Sequence, residues 1–146
     1  MNKKNEYNIG LVLSGGGFRG VAHIGVIKAM EDSGLKADIV SGVSAGALVG
    51  TCYAAGVSCE EMLSLFKRPR LFSLAHYSYK KPGLLDSDKF SVYINEYIRQ
   101  QTYEELDMPL YISATDMLKG KLVTFSSGSL NKAVLASCAF PFIFSP

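Results

Sequence analysis

The sequence predicts an α/β fold built on a mainly parallel sheet. Short apolar runs typical of buried strands alternate along the chain with segments whose apolar residues recur at helical spacing. The composition agrees, because 48% of the 146 residues are apolar and 19% are charged, which suits one domain with a hydrophobic core. A strand–helix–strand–helix order places neighbouring strands parallel to one another and covers them with helices.

The elements follow one another in a simple order. In the first half, strands are expected over residues 9–13 and 38–43, and helices over 20–32, 44–55 and 59–67. Ser58 and Glu61 form a capping-box pattern that marks the start of the third helix. In the second half, helices are expected over 86–100 and 130–137, and strands over 110–114 and 121–125, separated by a Met-Leu-Lys-Gly turn.

Composition excludes several classes of protein. A net charge of +2 is too small to imply nucleic-acid binding, so no nucleic-acid partner is expected. No apolar run reaches the roughly 20 residues of a membrane-spanning helix, and the N-terminus lacks the apolar stretch of a secretory signal. Cys52, Cys59 and Cys138 have neither metal-site nor redox spacing. We therefore expect buried thiols in a reducing compartment, the cytoplasm.

The stretch from Lys67 to Pro82 is basic and aromatic. It contains five lysines and arginines and no acidic residue. One interpretation is peripheral contact with an anionic membrane surface, where each basic residue adds about 1 kcal/mol of attraction. The other is a solvated loop whose aromatic residues pack into the core. The absence of a clean amphipathic pattern favours the loop.

Ser44 lies in a Gly-x-Ser-x-Gly pattern, Gly42 to Gly46, between a predicted strand and a predicted helix. This pattern is the nucleophile elbow of acyl hydrolases, a strained turn that projects the serine hydroxyl into a pocket. The N–H group after the serine then helps to stabilise an oxyanion. Glycines flank the serine because strand and helix approach too closely for a Cβ atom. The alternative is an ordinary turn in which Ser44 caps the helix.

A glycine loop, Gly15-Gly16-Gly17-Phe18-Arg19-Gly20, follows the first predicted strand. Successive glycines leave backbone N–H groups free to point at an oxyanion or a phosphate, and Arg19 adds positive charge. One alternative is a tight turn that binds nothing. Another is dinucleotide binding, because Gly15-x-Gly17-x-x-Gly20 matches that fingerprint and Asp38 lies near the expected acidic position. Asp38, however, begins the second predicted strand, whereas the fingerprint places its acid at the strand's end.

The two motifs, in this order, resemble the patatin-like phospholipase family. The likeness extends over Arg19-Gly-Val-Ala-His23, over Ser113-Ala-Thr-Asp116 and over Ala136-Ser-Cys-Ala-Phe-Pro141. The resemblance implies a three-layer α/β domain, a mainly parallel sheet with helices on both faces, of which residues 1–146 are the N-terminal portion. It also implies a serine hydrolase that acts on lipid or other acyl esters and uses no metal or organic cofactor.

The site implied by the resemblance has Ser44 as nucleophile. Its oxyanion hole consists of backbone N–H groups, with three residues in supporting roles. The oxyanion donors are Gly15, Gly16, Gly17 and Ala45, and the supporting residues are Arg19, Gly42 and Gly46. The family's base is an aspartate in an Asp-Gly-Gly or Asp-Gly-Ala sequence, and neither tripeptide occurs in these 146 residues.

The aspartate is expected beyond Pro146, in a C-terminal segment that completes the domain. The 146-residue chain alone is therefore expected to be inactive or weakly active, because a serine hydroxyl needs a base to become nucleophilic. Four other residues are weaker candidates for the base. Asp116 follows a strand, and His23 lies on a helix where hydrogen bonding or packing is favoured. His76 lies in the basic stretch, and Asp86 is expected to cap a helix.

Overall fold

The described part of the chain, residues 7–68 and 87–139 of a computed structural model, contains four strands and five α-helices. The strands are β1 (Gly10–Leu13), β2 (Ile39–Gly42), β3 (Leu110–Asp116) and β4 (Lys121–Phe125). The helices are α1 (Val21–Asp32), α2 (Ala45–Ala54), α3 (Cys59–Phe66), α4 (Ser87–Tyr97) and α5 (Leu130–Cys138). All nine predicted elements are confirmed. The largest differences are that β3 continues two residues further and that α4 ends at Tyr97.

The strands lie in the order β1-β2-β3-β4 within one sheet. β1, β2 and β3 are parallel, and β4 runs antiparallel to β3 after the predicted turn. The mainly parallel sheet is therefore confirmed. The parallel strands end at a common edge, called here the carboxyl edge. At this edge β1 leads into the glycine loop and β2 leads into Ser44.

Helix α2 is the centre of the core. All ten of its residues are buried, and it packs against β1, β2 and β3. Its sequence is apolar on every side, which is the pattern of a helix enclosed by protein. Small residues bring it close to the sheet, since a Cβ atom on Gly50 would lie only 3.0 Å from Val40 Cγ1. Helices α1 and α5 pack along α2.

The two faces of the sheet differ in exposure. Leu11 and Leu13 are buried beneath α2, whereas Val12 between them is 80% exposed and Leu122 on β4 is 73% exposed. Within the described ranges the helices cover the α2 face. A second helical layer, as expected for the three-layer class, is not among these residues.

Several sequence predictions concern residues that the structure does not describe. His76, Asp86 and the stretch from Lys67 to Pro82, apart from its first two residues, lie outside the described residues. Of those two, Lys67 is exposed, while the Arg68 guanidinium donates to both Glu96 carboxylate oxygens at 2.8 and 3.2 Å. All three cysteines are buried and free, as predicted. Among the described helices, none combines the length and the apolar character needed to cross a bilayer.

Candidate active site

Ser44 connects β2 to α2 at the carboxyl edge. Its φ of 54° and ψ of −121° lie in a backbone region where residues other than glycine are rarely found. Such backbone strain costs roughly 1–3 kcal/mol and persists only where the surrounding structure fixes it. Ser44 occupies the N-cap position of α2, but its side chain makes no capping hydrogen bond. The alternative interpretation, a serine that caps the helix, is therefore wrong.

Gly42 and Gly46 make this conformation possible. A Cβ atom on Gly42 would lie 2.7 Å from the Gly46 carbonyl carbon and 2.8 Å from Ala47 Cα. A Cβ atom on Gly46 would overlap the Leu13 carbonyl group and lie 2.6 Å from the Ser14 oxygen. These neighbours are backbone atoms that cannot swing aside, so the structure requires glycine at both positions.

The glycine loop lies against the Ser44 side chain. A Cβ atom on Gly15 would stand 3.3 Å from Ser44 Cβ and 4.0 Å from its Oγ. Gly17 has a left-handed φ of 55°. A Cβ atom on Gly20 would lie 2.6 Å from Ala45 Cβ, so the end of the loop packs directly on the start of α2. The two sequence motifs thus meet in one place, with the Arg19 residue exposed beside them.

Two of the weaker candidates for the base are engaged elsewhere. His23 Nε2 lies 2.9 Å from the Ser14 carbonyl oxygen, to which it donates, since a carbonyl can only accept. This bond holds the entrance of the glycine loop, in agreement with the hydrogen-bonding role favoured for His23. The Asp116 carboxylate accepts the N–H groups of Leu118 and Lys119 at 3.0 and 3.1 Å and so caps the β3–β4 turn.

The last turn of α5 contacts Ser44 through Ser137, which lies in the segment Ala136 to Pro141 quoted for the resemblance but to which the sequence assigned no role. The Ser44 N–H donates to Ser137 Oγ at 2.7 Å, and the Ser137 hydroxyl donates to the Ser113 carbonyl at 2.7 Å. The next residue, Cys138, is buried. Burial raises the pKa of Cys138 to about 12, and interaction with the Ser44 side chain opposes this rise, so the thiol is protonated at neutral pH.

Asp38 lies at the opposite edge of the sheet from the glycine loop, because it precedes β2. Its carboxylate accepts the backbone N–H groups of Ile9 at 2.9 Å and Asn8 at 2.8 Å. These two bonds, that of Ile9 first, lower the pKa of Asp38. A ribose-binding acid must instead lie beside the glycine loop, at the carboxyl ends of the strands. The dinucleotide alternative therefore lacks its acidic residue.

Comparison with known proteins gives relatives over almost the whole chain. A family model described as patatin-like phospholipase matches residues 11–146. An NTE family protein of Mycobacterium tuberculosis is 34% identical over 140 residues, which are 94% of this chain and 39% of that protein. Lysophospholipase NTE1 of Pyricularia oryzae is 32% identical over 145 residues, which cover 95% of this chain and 10% of that protein. The chain thus spans less than half the length of these relatives.

Solved structures share the fold. VipD from Legionella pneumophila matches with a TM-score of 0.69 and 17% identity, over 94% of this chain and 43% of that chain. The type III effector ExoU of Pseudomonas aeruginosa matches with a TM-score of 0.61 and 22% identity, over 88% of this chain and 39% of that chain. These likenesses support the three-layer α/β class predicted for the fold. Because the family model matches all but the first ten residues, the chain belongs to the patatin-like phospholipase family.

Proposed function

We propose that this chain carries the nucleophile and the oxyanion-binding loop of a lipid acyl hydrolase, with Ser44 as the nucleophile. The observation that carries the proposal is the Ser44 backbone, which has a φ of 54° at the junction of strand and helix. A strained backbone at a serine whose hydroxyl does not cap the following helix is typical of a nucleophile elbow.

The proposed reaction begins with attack of Ser44 Oγ on the carbonyl carbon of an ester. The hydroxyl proton passes to a base, and the carbonyl oxygen becomes an oxyanion. Collapse of this intermediate breaks the bond to the alcohol, which takes up a proton, and leaves an acyl group on Ser44. Water then attacks the acyl-enzyme and releases the fatty acid.

Backbone N–H groups would stabilise the oxyanion. Ala45 stands in the first turn of α2, where N–H groups have no partner within the helix and the dipole favours negative charge. The N–H groups of Gly15, Gly16 and Gly17 would complete the hole, which is supported by the close approach of the glycine loop to Ser44, since a Cβ atom on Gly15 would stand 3.3 Å from Ser44 Cβ. Removal of one such donor typically costs about 100- to 1,000-fold in kcat. Arg19 would support the loop or hold a phosphate head group.

The base in this proposal is an aspartate outside these 146 residues, which makes a Ser–Asp dyad. Two facts support it. The chain contains no Asp-Gly-Gly or Asp-Gly-Ala tripeptide, and the side chains of Asp116 and His23 already make structural hydrogen bonds. Residues 1–146 would then be the N-terminal portion of a single domain.

A lipid ester is the proposed substrate, supported by family membership and by the name of the lysophospholipase relative.

We further propose that the protein is cytoplasmic and touches membranes peripherally. The stretch from Lys67 to Pro82 is the candidate contact, because it carries four basic residues besides Arg68, which is paired with Glu96, and basic residues suit an anionic surface.

The test compares two chains, the 146 residues alone and the same chain extended through the first Asp-Gly-Gly or Asp-Gly-Ala of its coding sequence. The extended chain should hydrolyse p-nitrophenyl esters. Ser44→Ala, or replacement of the downstream aspartate by asparagine, should lower that rate by several powers of ten. The 146-residue chain should show weak turnover or none. Robust turnover by the short chain, abolished by Ser44→Ala, would place the base within residues 1–146 and overturn the dyad.

A further inference from the structure

The hydrogen bonding between β2 and β3 is interrupted at the elbow. Val40 pairs with Leu110, and the Val40 N–H donates to the Pro109 carbonyl at 3.0 Å. Bonds of a parallel ladder recur evenly, every second residue along one strand. Counting four residues onward on both strands, the N–H of Ser44 would meet the carbonyl of Ser113. The elbow turns Ser44 away from the sheet at this point.

A single hydroxyl occupies the place of that missing bond. The Ser44 N–H donates to Ser137 Oγ, and Ser137 donates in turn to the Ser113 carbonyl, each over 2.7 Å. A hydroxyl has one proton, and here the Ser113 carbonyl receives it, so the Ser137 oxygen is left to accept from Ser44. The same two backbone groups that a continuous strand would pair directly are thus paired through a side chain from α5.

We propose that Ser137 is a positioning residue for the nucleophile, because its hydroxyl replaces the interrupted bond and holds the Ser44 backbone in the strained elbow. The inference rests on the proposed function, since it concerns the placement of the Ser44 hydroxyl. Without the Ser137 hydroxyl, a part-buried N–H and a part-buried carbonyl would lose their partner. Backbone groups left unpaired away from water are costly, so the elbow would relax toward an arrangement that satisfies them.

The helix that carries Ser137 is packed into the core. Helix α5 packs on β3 and on α2, and its residues Ala133, Val134 and Cys138 are buried. From this packed helix Ser137 accepts the Ser44 N–H. A change at Ser137 should therefore alter the Ser44 backbone directly.

The first test measures hydrogen exchange of the Ser44 amide by NMR in the 146-residue chain. Exchange at Ser44, relative to the Val49 amide within α2, should rise about tenfold or more in Ser137→Ala, because the N–H loses its acceptor. Ser137→Thr keeps the hydroxyl and should restore slow exchange. Ser64→Ala is the matched control, since the Ser64 hydroxyl, like that of Ser137, donates to a backbone carbonyl, here that of Glu60 at 2.9 Å within α3. An unchanged Ser44-to-Val49 ratio in Ser137→Ala would overturn the proposal.

The second test uses the extended chain, which carries the proposed base, and measures the rate at which an alkyl fluorophosphonate labels Ser44. The rate should fall about tenfold in Ser137→Ala, an effect of the size expected for one lost hydrogen bond that leaves buried groups unpaired, and Ser137→Thr should recover it. Recovery by threonine separates positioning from a general loss of stability. Equal labelling of Ser137→Ala and the unaltered chain would refute the positioning role alone. Equal labelling of Ser44→Ala would instead refute the proposed function, and the amide exchange would still decide the role of Ser137.

Discussion

Gly46 and Gly25 are both helical glycines, yet the structure assigns them opposite roles. A Cβ atom on Gly25, in α1, would meet no atom within 4 Å. A Cβ atom on Gly46, in α2, would overlap the end of β1, where the Leu13 carbonyl stands. Gly25 is a conformational cost to its helix, whereas Gly46 is a steric requirement of the elbow.

We therefore expect opposite effects of alanine at these positions. Gly46→Ala should lower the free energy of unfolding by about 1–3 kcal/mol, the usual cost of overpacking, and should slow labelling of Ser44. Gly25→Ala should raise the free energy of unfolding by roughly 0.5–1 kcal/mol, because alanine is the better helix former. Urea denaturation measures both. A Gly46→Ala variant as stable as Gly25→Ala would show that the close approach of α2 to β1 is not required.

The sequence could predict the residues whose roles are local. Gly42, Ser44 and Gly46 are recognisable because the elbow needs small flanking residues at fixed spacing. Ser137 and Cys138 could not be identified in this way. The bond from Ser44 to Ser137 joins residues 93 positions apart, and neither residue type is unusual at the end of a helix. Only the fold brings the end of α5 to the elbow.

At the scale of elements, apolar spacing and capping patterns were sufficient to locate strands and helices. The capping box of α3 is formed as predicted, with the Ser58 N–H donating to the Glu61 carboxylate at 3.0 Å. The order of strands was not predictable, because apolar runs carry no information about which strand lies beside which. The exposed face of the sheet was not expected either, since Val12 and Leu122 are as apolar as the buried residues beside them.

Asp38 ties the chain before β1 to the start of β2, and this contact should depend on pH. Hydrogen bonds from the backbone N–H groups of Ile9 and Asn8 lower the pKa of Asp38 in the folded state. A lowered pKa means that the carboxylate stabilises the fold above the unfolded-state pKa of about 3.9 and loses this effect as the pH falls through the lower, folded-state value.

Asp38→Asn should therefore be less stable than the unaltered chain at pH 7, and the difference should shrink as the pH falls below about 4. Thermal denaturation across this pH range measures the difference. Asn8→Ala is the control, because Asp38 contacts the backbone N–H of Asn8 and alanine retains it. A stability loss that is the same at pH 3 and pH 7 would contradict the role of the ionised carboxylate.

At the scale of the whole molecule, parallel pairing of β1 with β2 explains why two motifs distant in sequence form one site. Adjacent parallel strands end at the same edge, so whatever follows each strand must meet there. This much could be predicted from the element order, and Gly15 indeed lies beside Ser44, since a Cβ atom on Gly15 would stand 3.3 Å from Ser44 Cβ. The base could not be located by the same argument, since no carboxylate in the described residues has been found aimed at Ser44.

Covalent labelling is the sharpest test of whether Ser44 is a nucleophile held in a strained elbow. The chain extended through the downstream Asp-Gly-Gly or Asp-Gly-Ala, which carries the proposed base, would be incubated with an alkyl fluorophosphonate and the modified peptide identified by mass spectrometry, with Ser44→Ala and Ser41→Ala as paired variants. We expect a single adduct on Ser44, retained in Ser41→Ala and lost in Ser44→Ala. A folded chain in which Ser44 stays unmodified, or in which Ser44→Ala is labelled equally, would contradict it.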